Sequence, residues 1–131
     1  MKYLIDTDYV VDYLKGKTQA IQLLTTLAPN GLAISLITYG EIYEGIYYGH
    51  NPSYHERVFL NFLRGVSVLP LNKPTLRQFA HIRGRLRAQG KLIGDPDLLI
   101  GATTIYYQLS LLTHNIRHFN RIPKLKLYQA I

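Results

Sequence analysis

MKYLIDTDYVVDYLKG, residues 1–16, decides the fold. Lys2–Ile5 reads as a short buried strand, because its apolar residues run without alternation until Asp6 stops them. Thr7 to Lys15 then reads as a helix closed by Gly16. The rest of the chain repeats this alternation. A second helix covers about Thr18–Leu27 and ends at Pro29-Asn30-Gly31; Leu32–Ser35 is a second buried strand. Thr38–Tyr48 reads as a helix, with Ile42 and Ile46, and Tyr43 and Tyr47, at helical spacing before Gly49. Pro52–Arg64 is another helix, with Pro52 in its first turn, and Val66–Leu69 a third strand. Pro74–Gln89 is a long basic helix closed by Gly90, and Asp95 with Pro96 opens a helix running to about Gln108. Leu111–Thr113 and Leu125–Tyr128 complete the strands. Short apolar strands alternating with helices predict an α/β fold with a parallel sheet. Ligands of such sheets sit beyond the carboxyl ends of the strands, at a topological switch point.

The 131 residues fit one domain, 1–131, with a real core but not two. There is no cysteine, so disulfides and thiolate metal or redox sites are excluded, and any metal must take O or N ligands. The opening residues do not form a signal peptide, and no apolar run is long enough to span a bilayer. The expectation is a soluble, cytoplasmic protein with no membrane partner. The net charge of +7 is unevenly placed: residues 1–72 hold five Lys/Arg against six Asp/Glu, residues 73–131 ten against two. A basic half attracts polyanions, although a solvated helix face would look the same in composition.

The eight acidic residues are informative by position. Asp6 directly follows the first strand and Asp8 lies two beyond; Glu41 and Glu44 lie on the helix after the second strand; Asp95 and Asp97 open a helix that precedes another strand. In a parallel sheet these places border the carboxyl ends of the strands. Carboxylates gathered there repel one another unless a cation joins them, and hard oxygen ligands select Mg²⁺ or Mn²⁺. Such a site suits phosphodiester hydrolysis, with the basic half holding the strand. Each residue also has a structural reading. Asp6 can cap the helix that follows, and can cap and ligate together. Asp95 before Pro96 reads as an N-cap acid, which leaves Asp97 in the first turn as the better ligand candidate. The roles of Asp8, Glu44 and Asp95 stay open.

The five histidines lack metal spacing: His114 and His118 flank Asn115 and are candidates to touch substrate, whereas His50, His55 and His81 read as surface or helix residues. No G-x-S-x-G elbow and no phosphate-binding loop of the G-x-x-x-x-G-K type occurs. Tyr39, Tyr43, Tyr47 and Tyr48 crowd one helix and read as core or interface rather than as a base-stacking platform.

Taken in order, these motifs resemble the PIN-domain family and, within it, the VapC-type toxins, over essentially the whole chain. LIDTDYVVDYLKG resembles the family's first strand and acidic motif, placing Asp6 at the first acid and Thr7 at the hydroxyl beside it. ISLITYGEIYEG places Glu41 at the second acid, and IGDPDLLIGAT places Asp97 at the third. LLTHNIRHFNRIPKLKL resembles the closing element, with Asn115 where many members carry a fourth aspartate, and Gly101 stands in place of the usual alanine. The resemblance implies a three-layer α/β/α sandwich with a central parallel sheet of four or five strands. It implies an Mg²⁺- or Mn²⁺-dependent endoribonuclease cutting single-stranded or structured RNA by in-line attack of water, leaving 3′-hydroxyl and 5′-phosphate ends. It also implies a homodimer and a cognate VapB-like antitoxin whose tail brings a basic side chain into the acidic groove. On this reading Asp6, Glu41 and Asp97 hold the metal, Asn115 binds or orients a water, Thr7 and Thr113 hold the acids or the scissile phosphate, and Arg83, Arg87 and Arg117 contact the strand.

Two other readings share these residues. A haloacid-dehalogenase-like phosphatase would use Asp6 as nucleophile and Asp8 as general acid, but leaves Glu41 and the THNIRHF ending unexplained. A PIN-like module that binds RNA without cutting it would not need acids at three of the four positions.

Overall fold

The computed structural model describes residues 1–129. Four short strands form one parallel sheet: β1 (Tyr3–Ile5), β2 (Leu32–Ser35), β3 (Val66–Leu69) and β4 (Ser110–Leu112), in the spatial order β3-β2-β1-β4. Helices α1 (Thr7–Leu14) and α2 (Thr18–Leu27) join β1 to β2. Helices α3 (Leu36–Tyr47) and α4 (Pro52–Leu63) join β2 to β3, and α5 (Lys73–Ala88) and α6 (Asp95–Tyr106) join β3 to β4. A single turn, α7 (Ile116–Phe119), follows β4.

Two apolar layers sandwich the sheet, because successive strand residues point to opposite faces. Leu4, Ala33 and Leu111 face a core completed by Ile82 and Leu86 of α5, Leu98 and Ala102 of α6, and Phe119. Their neighbours Ile5, Ile34 and Leu112 face the other core, completed by Val10, Leu24, Ile42 and Phe59. The three-layer α/β/α sandwich is therefore present, with four parallel strands. Leu125–Tyr128, read as a fifth strand, makes one isolated parallel bridge with the sheet, between Leu111 and Leu127, and Tyr128 sets its ring edge-on to Tyr3 of β1.

Local chemistry sets the boundaries. Gly31 holds a positive φ of 88° and packs its α-carbon against Met1, where any β-carbon would stand 2.6 Å from the Met1 Cα. Its carbonyl accepts from the N–H groups of Lys2 and Tyr3, both at 3.2 Å, which sets β1 against β2. Helix α3 begins two residues earlier than its polar pattern suggests, since Ser35 caps it by accepting from Thr38 N–H at 3.1 Å. Helix α5 likewise begins at Lys73, capped by Asn72. Asp95 is not the cap of α6: Gly94 holds that place, Asp95 is the first helical residue and Pro96 the second. Among the described residues no helix is long and apolar enough to cross a membrane.

Candidate active site

The chain runs β1, β2, β3 toward one edge and then returns to place β4 on the other side of β1, so the carboxyl ends of β1 and β4 form the switch point. Asp6 is the first residue beyond β1, and its N–H donates to the Leu112 carbonyl at 2.9 Å. Thr113 is the first residue beyond β4, and its hydroxyl donates to Asp6 Oδ2 at 2.6 Å. The N–H of Thr7 donates to the other oxygen, Oδ1, at 2.8 Å. Asp6 therefore caps α1, and its second oxygen is turned onto Thr113.

Around this pair the acids crowd. Asp8, on the first turn of α1, accepts from the His114 N–H at 2.9 Å through Oδ2, while its Oδ1 is buried without a hydrogen-bond partner. Asp97 sits in the first turn of α6, with Oδ2 3.8 Å from His118 Nδ1. Burial pushes the Asp6 carboxyl up to about 6; the Thr113 hydroxyl opposes this, and Asp8 and Asp97 add to it by like-charge repulsion. Burial also raises Asp97, against the pull of His118 and with a push from Asp8. Asn115 braces the centre from behind. Its N–H donates to the Thr113 hydroxyl oxygen at 2.9 Å, and its side-chain nitrogen lies 3.0 Å from His118 Nδ1.

Glu41 joins the group through Thr7, whose hydroxyl donates to Glu41 Oε1 at 2.6 Å. Thr7 thus links Asp6 by its backbone and Glu41 by its side chain. Among the described residues, however, no three Asp, Glu or His side chains already converge closely enough to hold an ion. The carboxylates are turned instead onto hydroxyl and amide donors. The donor set still suits a hard divalent cation: three carboxylates that repel one another, and a buried carboxylate oxygen that no protein donor satisfies. Asp8 is the member whose role sequence reasoning left open. The signal was its spacing of two from Asp6, which a helix start brings back toward the same strand end.

The surroundings separate the other candidates. The Arg83 Nε donates to Asp95 Oδ1 at 2.9 Å, so the two residues expected as strand contact and helix cap are instead paired with each other. Arg87 and Arg117 are exposed. His114 stacks on Tyr9, with ring centroids 3.8 Å apart, and its Nε2 lies 3.0 Å from Asp12 Oδ2. His50, His55 and His81 are exposed; the first two line, with Val11, Ile42 and Val58, a largely apolar groove of about 260 Å³ that reaches Glu41. Tyr39 and Tyr43 pack on Phe59 in the core, whereas Tyr47 and Tyr48 are exposed.

The PIN domain family model matches residues 3–125. Ribonuclease VapC2 of Haemophilus influenzae is 30% identical over 128 residues, spanning 96% of each chain. Ribonuclease VapC1 of Methanocaldococcus jannaschii is 33% identical, spanning 97% of this chain and 87% of its own. The structure is similar to a chain of VapBC2 from Rickettsia felis bound to a promoter DNA fragment, with a TM-score of 0.91 and 28% identity over 98% of both chains. It is also similar to a chain of VapBC-1 from nontypeable Haemophilus influenzae, with a TM-score of 0.88 and 29% identity over 98% of both.

Proposed function

The chain belongs to the PIN-domain family, and on that premise we propose that it is a metal-dependent endoribonuclease and the toxin of a VapBC-like toxin–antitoxin pair. The observation that carries the site is the crowding of Asp6, Asp8 and Asp97 at the carboxyl end of β1, with Asp6 raised to about 6 and one Asp8 oxygen unsatisfied. On this reading Asp6 and Asp97 would hold the cation, Mg²⁺ or Mn²⁺, and Glu41 would complete the set from α3. A divalent cation bound there offsets charge on the scissile phosphate and makes hydroxide available near neutral pH.

The chain's own groups do the rest. Thr113 and Thr7 hold both Asp6 oxygens in place, so the carboxylate is presented at a fixed angle rather than found by rotamer search. Asn115 fixes Thr113 from its backbone and leaves its side chain facing His118, from where it would orient a water. Arg87 and Arg117 hold RNA phosphates; Arg83 does so only by giving up Asp95. The apolar groove that ends at Glu41 suits an antitoxin segment with a basic side chain at its tip. Two copies of the chain form the working unit, in the cytoplasm.

Asp6→Asn and Asp97→Asn are the tests. Each should abolish Mg²⁺-dependent cleavage of an RNA pool, by at least about 100-fold, while circular dichroism shows an intact fold. Cleavage at the wild-type rate in either variant overturns the assignment. RNA binding with no cleavage by the wild type under Mg²⁺ or Mn²⁺ would favour the non-catalytic module. Release of phosphate from a small monoester would return the phosphatase reading.

A further inference from the structure

We propose that Thr38 is a positioning residue for Glu41, acting through the Thr7 hydroxyl; the inference rests on the nuclease reading for what Glu41 does. Thr38 is wholly buried in the first turn of α3, one turn before the exposed Glu41 on the same helix. Its hydroxyl lies 2.9 Å from the Thr7 hydroxyl, which lies 2.6 Å from Glu41 Oε1. Behind it, the Ser35 hydroxyl is 3.5 Å away and accepts from the Thr38 N–H at 3.1 Å.

Counting protons gives this chain one direction. The Thr7 hydroxyl donates to Glu41 Oε1, so its single proton points at Glu41. Thr7 can then meet Thr38 only with a lone pair, so Thr38 donates to Thr7. Thr38, its one proton spent on Thr7, can only accept from the Ser35 hydroxyl, which also accepts from the Thr38 N–H. Every hydroxyl from Ser35 to Thr7 donates toward the carboxylate. Bonds in such a row polarise one another, and an aligned donor restricts a side chain that would otherwise sample many rotamers in solvent.

The usual uses of a helical threonine do not account for this placement. Thr26, Thr103 and Thr104 bond back to the carbonyl four residues earlier: Gln22, Leu99 and Ile100. Thr38 instead aims across to α1, and the cap of its own helix is supplied by Ser35. A buried hydroxyl directed at a neighbouring helix serves the contact it makes there.

Three variants test the role. Thr38→Val keeps shape and burial but removes the donor to Thr7; Thr38→Ser keeps the donor; Glu41→Gln is the reference. T38V should lower kcat on RNA about 10- to 100-fold with little change in KM, the range for groups that orient ligands from behind. It should weaken Mn²⁺ binding, titrated directly with the metal alone, by a similar factor. T38S should recover most of both. In the E41Q background T38V should add almost nothing. Native kcat and Mn²⁺ affinity in T38V overturn the proposal, as does a T38S as impaired as T38V, or full multiplication of the T38V and E41Q losses. If T38V melts too early to assay, Thr38→Ala against T38S at a lower temperature asks the same question with the same outcomes. A wild type that binds Mn²⁺ but leaves RNA intact overturns the nuclease reading, and the Mn²⁺ titration then decides on Thr38 alone.

Discussion

Asp6 is only 5% exposed, and its carboxyl is pushed up from 3.8 to about 6, by burial first. A proton released near 3.8 by the unfolded chain is thus held to about 6 by the folded one. For an acid with a raised folded pKa the sign is a penalty. It is absent below the unfolded value, grows as pH rises from about 4 to about 6, and stays in full above that. A shift of about two units corresponds to about 3 kcal/mol. Metal-free Asp6→Asn should therefore exceed metal-free wild type in stability by up to about 3 kcal/mol at neutral pH, and the two should converge toward pH 4. Urea titrations in chelator across that range check this, and parallel curves would refute it. With Asp6 as the proposed ligand, adding Mg²⁺ should stabilise the wild type and not the variant. Asp6 and Asp97 could be singled out in the sequence because each lies at an element boundary that the hydrophobic pattern fixes, whereas Glu41, the sixth residue of α3, was singled out by lying on the helix after β2. The engagement of Thr7 and Thr113 with acids 34 and 107 residues away along the chain was legible only as a resemblance, because no local pattern encodes a contact made by the sheet order.

At the scale of elements, strand and helix identity followed from the hydrophobic pattern, and the departures occur at the ends. The reading of Asp95 as a cap failed because Gly94 adopts the extended cap conformation and Arg83, one helix away, draws the Asp95 side chain off. An exposed pair of this kind contributes little to stability, so its effect is chiefly on where the Arg83 side chain lies. The fifth strand failed because one bridge is all that Leu125–Tyr128 makes with β4. Gly101 has a consequence for how α6 meets α7. A β-carbon there would stand 2.6 Å from Ile122 Cδ1, the far end of a buried side chain. Gly101→Ala gains helix propensity of about 1 kcal/mol but forces Ile122 aside, at a cost of about 1–3 kcal/mol. It should therefore be neutral to mildly destabilising. Ile122→Val alone should cost about 1 kcal/mol, and removes the methyl that clashes. The double variant should be more stable than the sum of the two by about 1 kcal/mol. Strict additivity in chemical denaturation would mean that α6 shifts bodily rather than pressing on Ile122.

Over the whole molecule the two signs of charge are segregated, with ten Lys/Arg against two acids in residues 73–131 and an acidic cluster at the strand ends. A polyanion is drawn by the first and repelled by the second until a cation is in place. The segregation makes RNA capture dependent on salt in a way that individual residues can be assigned to. For single strands the logarithm of affinity falls with that of salt concentration by about 0.7 for each phosphate neutralised. Exposed Arg87 and Arg117, if each neutralises one phosphate, should each reduce that slope by about 0.7 when replaced by alanine, with kcat at saturating RNA nearly unchanged. Arg83→Ala should change it less, because its guanidinium already meets Asp95. Fluorescence titration of a labelled oligoribonucleotide from about 50 to about 200 mM salt measures the slope. Wild-type slopes in both R87A and R117A would move the strand to another face of the protein. The acids act with the opposite sign. Without metal, Asp97→Asn should bind the same oligonucleotide more tightly than wild type, while with Mg²⁺ the order should reverse, because in the proposed coordination the carboxylate that repels the phosphate then holds its counter-ion.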